Sequence, residues 1–196
     1  MGLHQHLSDE LLERCAQEGV EVVRRPTGGS AVLHDTDLTY AVVAPSGNRG
    51  VLEAYRWVAG CLIEGLGRLG IDARVGGPGG TNPGAAGLDS QAACFAVTAG
   101  ADLQVGTAKI CGSAQVRRRG WFLQHGSIPL ADNRQVTRRL VRHPGPNNST
   151  CITKLRPGTT WEKLAACLVE GFESQWGTSA EFELDDMKRW ARVGGD

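Results

Sequence analysis

Apolar residues Val51, Leu52, Tyr55, Val58, Ala59, Leu62, Ile63, Leu66 and Leu69 recur at intervals of three and four, the period of one buried helical face. The spacing predicts an α-helix over 51–69, ended by Gly70, with Gly60, Gly65 and Gly67 each costing about 1 kcal/mol against alanine unless close packing offsets them. Ser8 is placed to cap a shorter helix over 8–18, with Leu7, Leu11, Leu12 and Cys15 on one face and Gly19 at its end. That helix is expected to lie against the sheet that follows. Thr159-Thr-Trp-Glu162 reads as a capping box opening a third helix with Leu164, Ala165, Leu168, Val169 and Phe172 inward. Short helices are expected over 132–140 and 185–192.

Between these helices the period changes to that of extended chain. β-branched and alternating runs predict strands over 20–25, 31–34, 38–43, 71–75, 93–97, 102–105, 108–116 and 121–128, with tight turns at Gly106-Thr107 and near Gly120. The glycine- and proline-rich stretch 76–87 predicts a loop. It lacks the Gly-Lys-Ser/Thr ending of a P-loop, and its place ahead of Cys94 suits a lid over a site there. The element order predicts an α+β fold, a mostly antiparallel, partly mixed sheet flanked by helices, in a single domain over 1–196.

Composition narrows the class. Basic and acidic residues balance at 21 each, so no overall field favours nucleic acid or a membrane surface, and neither is expected as a partner. No apolar run has the length of a membrane span, and the first residues carry no signal-peptide pattern, which points to the cytoplasm. Six scattered cysteines without Cys-x-x-Cys spacing indicate neither a metal site nor a disulfide framework.

The stretch with the most chemical content is Arg24-Arg25-Pro26-Thr27-Gly28-Gly29-Ser30-Ala31-Val32-Leu33-His34-Asp35. It reads as strand, glycine turn, strand. Bare amides and two guanidiniums there suit an oxygen-rich group such as a carboxylate, a phosphate or a thioester oxygen. Further on, Lys109-Ile-Cys-Gly112-Ser113-Ala-Gln115 and Leu123-Gln-His125-Gly-Ser-Ile128 fall on strands expected to be neighbours. By pattern alone Lys109 is an exposed strand lysine, Cys94 an inert core thiol, and Arg117-Arg-Arg119 a solvated strand end. Cys111, two residues from Lys109, would share its face.

These two blocks, in this order, resemble the lipoate-protein ligase and octanoyltransferase family, and the resemblance runs from about Gly2 to Trp176. It implies the biotin/lipoate protein ligase-like architecture and an acyl site formed by Arg25, Thr27, Gly28, Gly29, Ser30, Ala31, Val32, His34, Gly112, Ser113, Gln115 and His125. Ser30 stands where the family often has a third glycine, and the N-terminal helix-and-strand segment usual in the family is expected to lie upstream of Met1, to come from a partner chain or to be dispensed with. Ala93-Cys94-Phe95, fifteen positions before Lys109, is similar to the cysteine-dependent octanoyltransferases. The implied reaction moves octanoyl from acyl carrier protein to a lysine of a lipoyl-domain or glycine cleavage H-type protein, through a thioester on Cys94. The Lys109 ammonium would favour the thiolate, and no cofactor would be needed. Two alternatives stay open: an ATP- and Mg-dependent lipoate ligase working through an acyl-adenylate, and a non-catalytic subunit of a two-chain ligase.

Overall fold

The computed structural model describes residues 1–76, 102–140 and 148–177. Within them the elements run α1 (Asp9–Gln17), β1 (Asp37–Pro45), α2 (Val51–Arg68), β2 (Arg74–Val75), β3 (Leu103–Val105), β4 (Ala108–Arg118), β5 (Trp121–Pro129), α3 (Arg134–Leu140), α4 (Ile152–Leu155) and α5 (Trp161–Trp176). The strands form one antiparallel sheet in the order β1-β5-β4-β3-β2. An isolated parallel bridge joins Lys109 to Ser149 outside the five strands, whose own pairings are all antiparallel. Expected elements over 93–97 and 185–192, and the loop beyond Gly76, lie outside the described residues.

Helices α2 and α5 cover one face of the sheet. Leu38 and Ala44 of β1, Phe122 and Ile128 of β5, Leu103 and Cys111 share a core with Val58, Leu62 and Leu66 of α2 and with Leu164 and Leu168 of α5. The helices run antiparallel, with the Trp57 and Trp176 rings stacked at 4.2 Å at one end and Gly65 against Leu168 at the other. The question of Gly65 is answered there, and Gly171 is its counterpart on α5. A Cβ on Gly65 would lie 2.7 Å from the Leu168 Cα, and one on Gly171 would run into the carbonyl oxygen of Cys61, so backbone-to-backbone approach requires both glycines. The neighbour is a helix, and Gly60 and Gly67 face open space.

The β4–β5 hairpin turns through Arg119 (φ 52°) and Gly120 (φ 79°), both left-handed, the geometry that matches the twist of a two-residue hairpin. Arg117 is not a solvated strand end. Its guanidinium donates to the carbonyl oxygens of Arg49 and Gly50 at 2.8 Å each, and so holds the chain where α2 begins.

Several boundaries differ from the pattern. The segments 20–25 and 31–34 pair with no strand among the described residues, because their hydrogen bonds go to loops and side chains. Arg25 N–H, for instance, donates to the Met1 carbonyl at 3.0 Å. Helix α1 forms as expected on its Ser8 cap but lies against α3, where Arg14 Nε donates to the Leu140 carbonyl at 2.7 Å. The cap of α5 is Thr160, which accepts from Lys163 N–H, while the Thr159 hydroxyl turns back to the Arg156 carbonyl. Val169 is 48% exposed on the outer side of α5. The strand expected over 71–75 shrinks to two residues, and α4 arises where no helix was expected.

Candidate functional site

Strand alternation sorts the motif residues onto two faces. On the helix side Ser113, Gln115 and Arg117 project alongside Tyr40 and Gln124, and they form one hydrogen-bonded line. Arg117 Nε donates to Gln115 (2.9 Å), Gln115 to Gln124 (3.1 Å) and Gln124 to the Tyr40 hydroxyl (3.2 Å). That hydroxyl passes over Gly126 to Ser113 Oγ at 2.7 Å. A Cβ on residue 126 would lie 2.5 Å from the Tyr40 ring, which is why glycine follows the motif histidine. The side chains of Ser113 and Gln115 thus serve the layer between sheet and helices, whereas Gly112 and His125 belong to the opposite face.

Lys109 would follow Ser113 onto the helix side but for an irregularity in β4. Leu103 pairs with Cys111 and Gln104 with Lys109, so three residues of β4 oppose two of β3, a bulge at Ile110. Ile110 and Cys111 both enter the core, and Lys109 is rotated onto the face away from it. Cys111 therefore does not share the face of Lys109, and burial pushes its thiol up to about 12. It is inert as a nucleophile.

Nor is Lys109 exposed. It is 2% accessible, its backbone is bonded on both sides to 148–150, and its ammonium lies 2.7 Å from Asp102 Oδ2, a carboxylate equally buried. Asp102 Oδ1 accepts the Ser113 N–H at 3.3 Å. A buried ion pair contributes little net stability compared with an apolar pair, which makes its presence a mark of chemistry as readily as of architecture. Asp102 escaped the sequence reading: one aspartate opening a short strand looks like any solvated turn residue.

The glycine-turn segment folds over the same face. Arg24 donates to the carbonyl oxygens of Gly2, Leu3 and Gln5, and Arg25 to Thr27 Oγ1 and to the carbonyl oxygens of Gly28 and Ser30. Both guanidiniums shape the loop itself. Thr27, fully buried, meets His125 Nε2 at 2.6 Å and so ties the loop to the middle of β5. His125 has room for this because its cross-strand neighbours are Ala41 and Ala114. Burial first, then the charges of Arg25 and His34, hold its pKa below the ordinary histidine value, so the ring is neutral at pH 7. His34 Nδ1 contacts Asp37 Oδ2 at 2.7 Å, and the Ser127 hydroxyl donates to the same oxygen.

Between this loop, α1, the end of β5 and α3 lies a cavity of about 490 Å³. Leu7, Leu11, Val20, Val22 and Leu140 give it apolar walls, and Arg25, His34 and His125 bring polar groups to it. The loop residues Ala31 and Val32 line it too, as do Ser149 and Thr150 beside Lys109. Its size and mixed lining suit a medium-length acyl chain ending in a polar head. Cys94 lies outside the described residues. No helix among the described residues is long and apolar enough to cross a membrane.

The model of the lipoyl protein ligase A/B catalytic domain matches residues 1–173. The chain belongs to that family. A curated relative, octanoyltransferase LipM of Geobacillus kaustophilus, is 40% identical over 151 residues, which are 74% of this chain and 54% of the relative, so the chain spans about half the length of that protein. Among solved structures, a T. acidophilum protein with bound lipoic acid superposes with a TM-score of 0.76 at 22% identity, over 98% of this chain and 75% of that one. A bi-partite lipoate protein ligase from Thermoplasma acidophilum, studied with its E2 lipoyl domain, gives 0.67 at 20% identity, over 98% and 73%. The antiparallel sheet with its covering helices is thus the fold of the lipoyl ligase catalytic domain. Within that fold the motif residues Arg25, Ala31, Val32, His34 and His125 line the cavity, Thr27 is bonded to His125, and Lys109 is buried behind Ser149 and Thr150 on the same face.

Proposed function

We propose that the protein is an octanoyltransferase of protein lipoylation. The observation that carries the reading is the convergence, on one face of the sheet, of an acyl-sized cavity, the glycine-turn loop pinned to His125, and the buried Lys109–Asp102 pair. Membership of the lipoyl ligase family and likeness to the LipM octanoyltransferases support it. The donor is an octanoyl thioester on acyl carrier protein, and the acceptor is a lysine of a lipoyl domain, the kind of domain studied with the bi-partite relative.

In this reading Cys94 is the nucleophile. Its thiolate attacks the octanoyl carbonyl carbon, a new C–S bond forms, the donor's C–S bond breaks, and the carrier thiol leaves with the electron pair and takes up a proton. The acceptor amine then attacks the acyl-enzyme, loses a proton, and expels the Cys94 thiolate as the amide forms. Lys109 stabilises the anionic sulfur and the carbonyl oxygen as charge develops on it, and the cavity walls keep water from the thioester. Thioester to thioester to amide is downhill without nucleotide.

Intact mass after incubation with octanoyl carrier protein tests the assignment. An octanoyl adduct is expected on the wild type and none on Cys94→Ala. ATP-dependent pyrophosphate release from octanoate, with no adduct from the thioester, overturns it in favour of a ligase.

A further inference from the structure

The hydrogen bonds around Thr27 determine more than the position of the loop. Thr27 Oγ1 lies 3.0 Å from Arg25 Nε and 2.6 Å from His125 Nε2. A guanidinium only donates, so the Thr27 oxygen accepts from Arg25; the oxygen has a second lone pair, but the buried Thr27 hydroxyl proton finds no acceptor among the described residues other than the imidazole and is therefore directed to it. Nε2 is therefore the accepting nitrogen, and the proton of the neutral ring resides on Nδ1. Among the described residues no hydrogen-bond partner is found for Nδ1, and His125 lines the cavity.

From this relay, Arg25 to Thr27 to His125, we propose that His125 acts in its neutral Nδ1–H form as a hydrogen-bond donor to the carbonyl oxygen of the bound acyl group. The inference rests on the acyltransferase reading given above and assigns within it a residue that touches substrate. His125 is then neither a general base nor a cation. Its lone pair is occupied by Thr27, and what it offers the ligand is a single directed N–H whose tautomer is set by the glycine-turn loop. Such a donor gains most when negative charge grows on the oxygen during attack, and because the loop fixes it beforehand it need not reorganise at that moment. The loop thereby takes part in the chemistry without contacting the carbonyl: it decides which ring nitrogen carries hydrogen.

Long-range 1H–15N spectra of protein labelled at its five histidines read the tautomer directly, with the His125 signals identified by their loss in His125→Gln. The expected result at pH 7 is a neutral ring protonated on Nδ1. An Nε2-protonated ring or an imidazolium overturns the proposal. Two variants separate the two ends of the ring. His125→Gln keeps an oxygen for Thr27 but loses the Nδ1 donor, and should form the octanoyl adduct on the order of 10²–10³-fold more slowly at saturating donor with an unchanged melting temperature. His125→Asn keeps an N–H near the Nδ1 position but releases Thr27, and should raise KM more than it lowers kcat. A Gln variant as fast as the wild type refutes the donor role even though acyl transfer stands. A wild type that forms no adduct removes the acyl reading and this role with it, whatever the tautomer.

Discussion

Asp102 and Lys109 provide a quantitative check on the site that needs no substrate. Both side chains are 2% accessible and their charged atoms are 2.7 Å apart, so water screens the pair far less than it screens an exposed pair worth at most about 1 kcal/mol. Removing one partner from such a pair strands the other's charge, and that costs about 3–5 kcal/mol. Asp102→Asn isolates this effect, since the amide oxygen can still accept the Ser113 N–H. Its expected loss is about 3 kcal/mol, or roughly a hundredfold in the folded-to-unfolded ratio, from a total typically near 5–15 kcal/mol. Lys109→Met takes the ammonium from a buried carboxylate and should cost a similar amount. The double variant carries neither charge, so it should recover at least about 2 kcal/mol relative to the sum of the singles. Urea unfolding at pH 7, compared at a common slope, measures all four proteins. Additive losses, within about 0.5 kcal/mol, would show that the two groups do not stabilise each other and would refute the argument.

Two further predictions concern packing and pH. Gly171→Ala drives a Cβ into the backbone of α2 and should lower stability by about 1–3 kcal/mol or more, whereas Gly60→Ala meets open space in a helix interior and should raise it by about 0.5–1 kcal/mol; thermal melts that rank the two the other way would contradict the glycine contact between α2 and α5. Asp37 has its pKa held below the ordinary carboxylate value, because burial, which raises it, is outweighed by the bonds from His34 and Ser127 and the charge of His34. A depressed native pKa contributes stability that is fully present above the unfolded value near about 4 and is lost as pH falls through the native one. Asp37→Asn should therefore be clearly less stable than wild type at pH 7, with the gap in melting temperature closing as pH drops toward about 2; a gap independent of pH would be inconsistent with that linkage.

What the amino-acid pattern revealed depended on whether the structure repeats with a period. Helix α2 was legible nearly to its bounds because apolar positions recur with its period, although Val51 and Leu52 at its start are exposed and Ala54 and Cys61 are buried instead, and the hairpins were legible from their glycines. The segments either side of Gly28 were not. Val20, Val22 and Val23 favour extended backbone, but extended backbone becomes a strand only if another strand pairs with it, and here carbonyl groups instead meet guanidiniums and the residues near Gly2. Two adjacent threonines offered equivalent caps for α5, and only the turn at Arg156 decides between them. In the candidate site, Thr27, His34 and His125 were recognisable from motif resemblance, while Asp102 was hidden because its significance comes from a partner seven residues away. The face of Lys109 was misread for a related reason: alternation assumes an unbroken ladder.

That break at Ile110 bears on how the domain can vary. A strand of even pleat would carry the residue-109 ammonium in among Leu103, Phe122 and the α2 side chains, where no acyl group could reach it. Deleting Ile110, a change of one residue, would thus leave the fold's outline intact while moving its cation to the wrong compartment. Conversely, any designed sheet that borrows this lysine must borrow the extra residue as well.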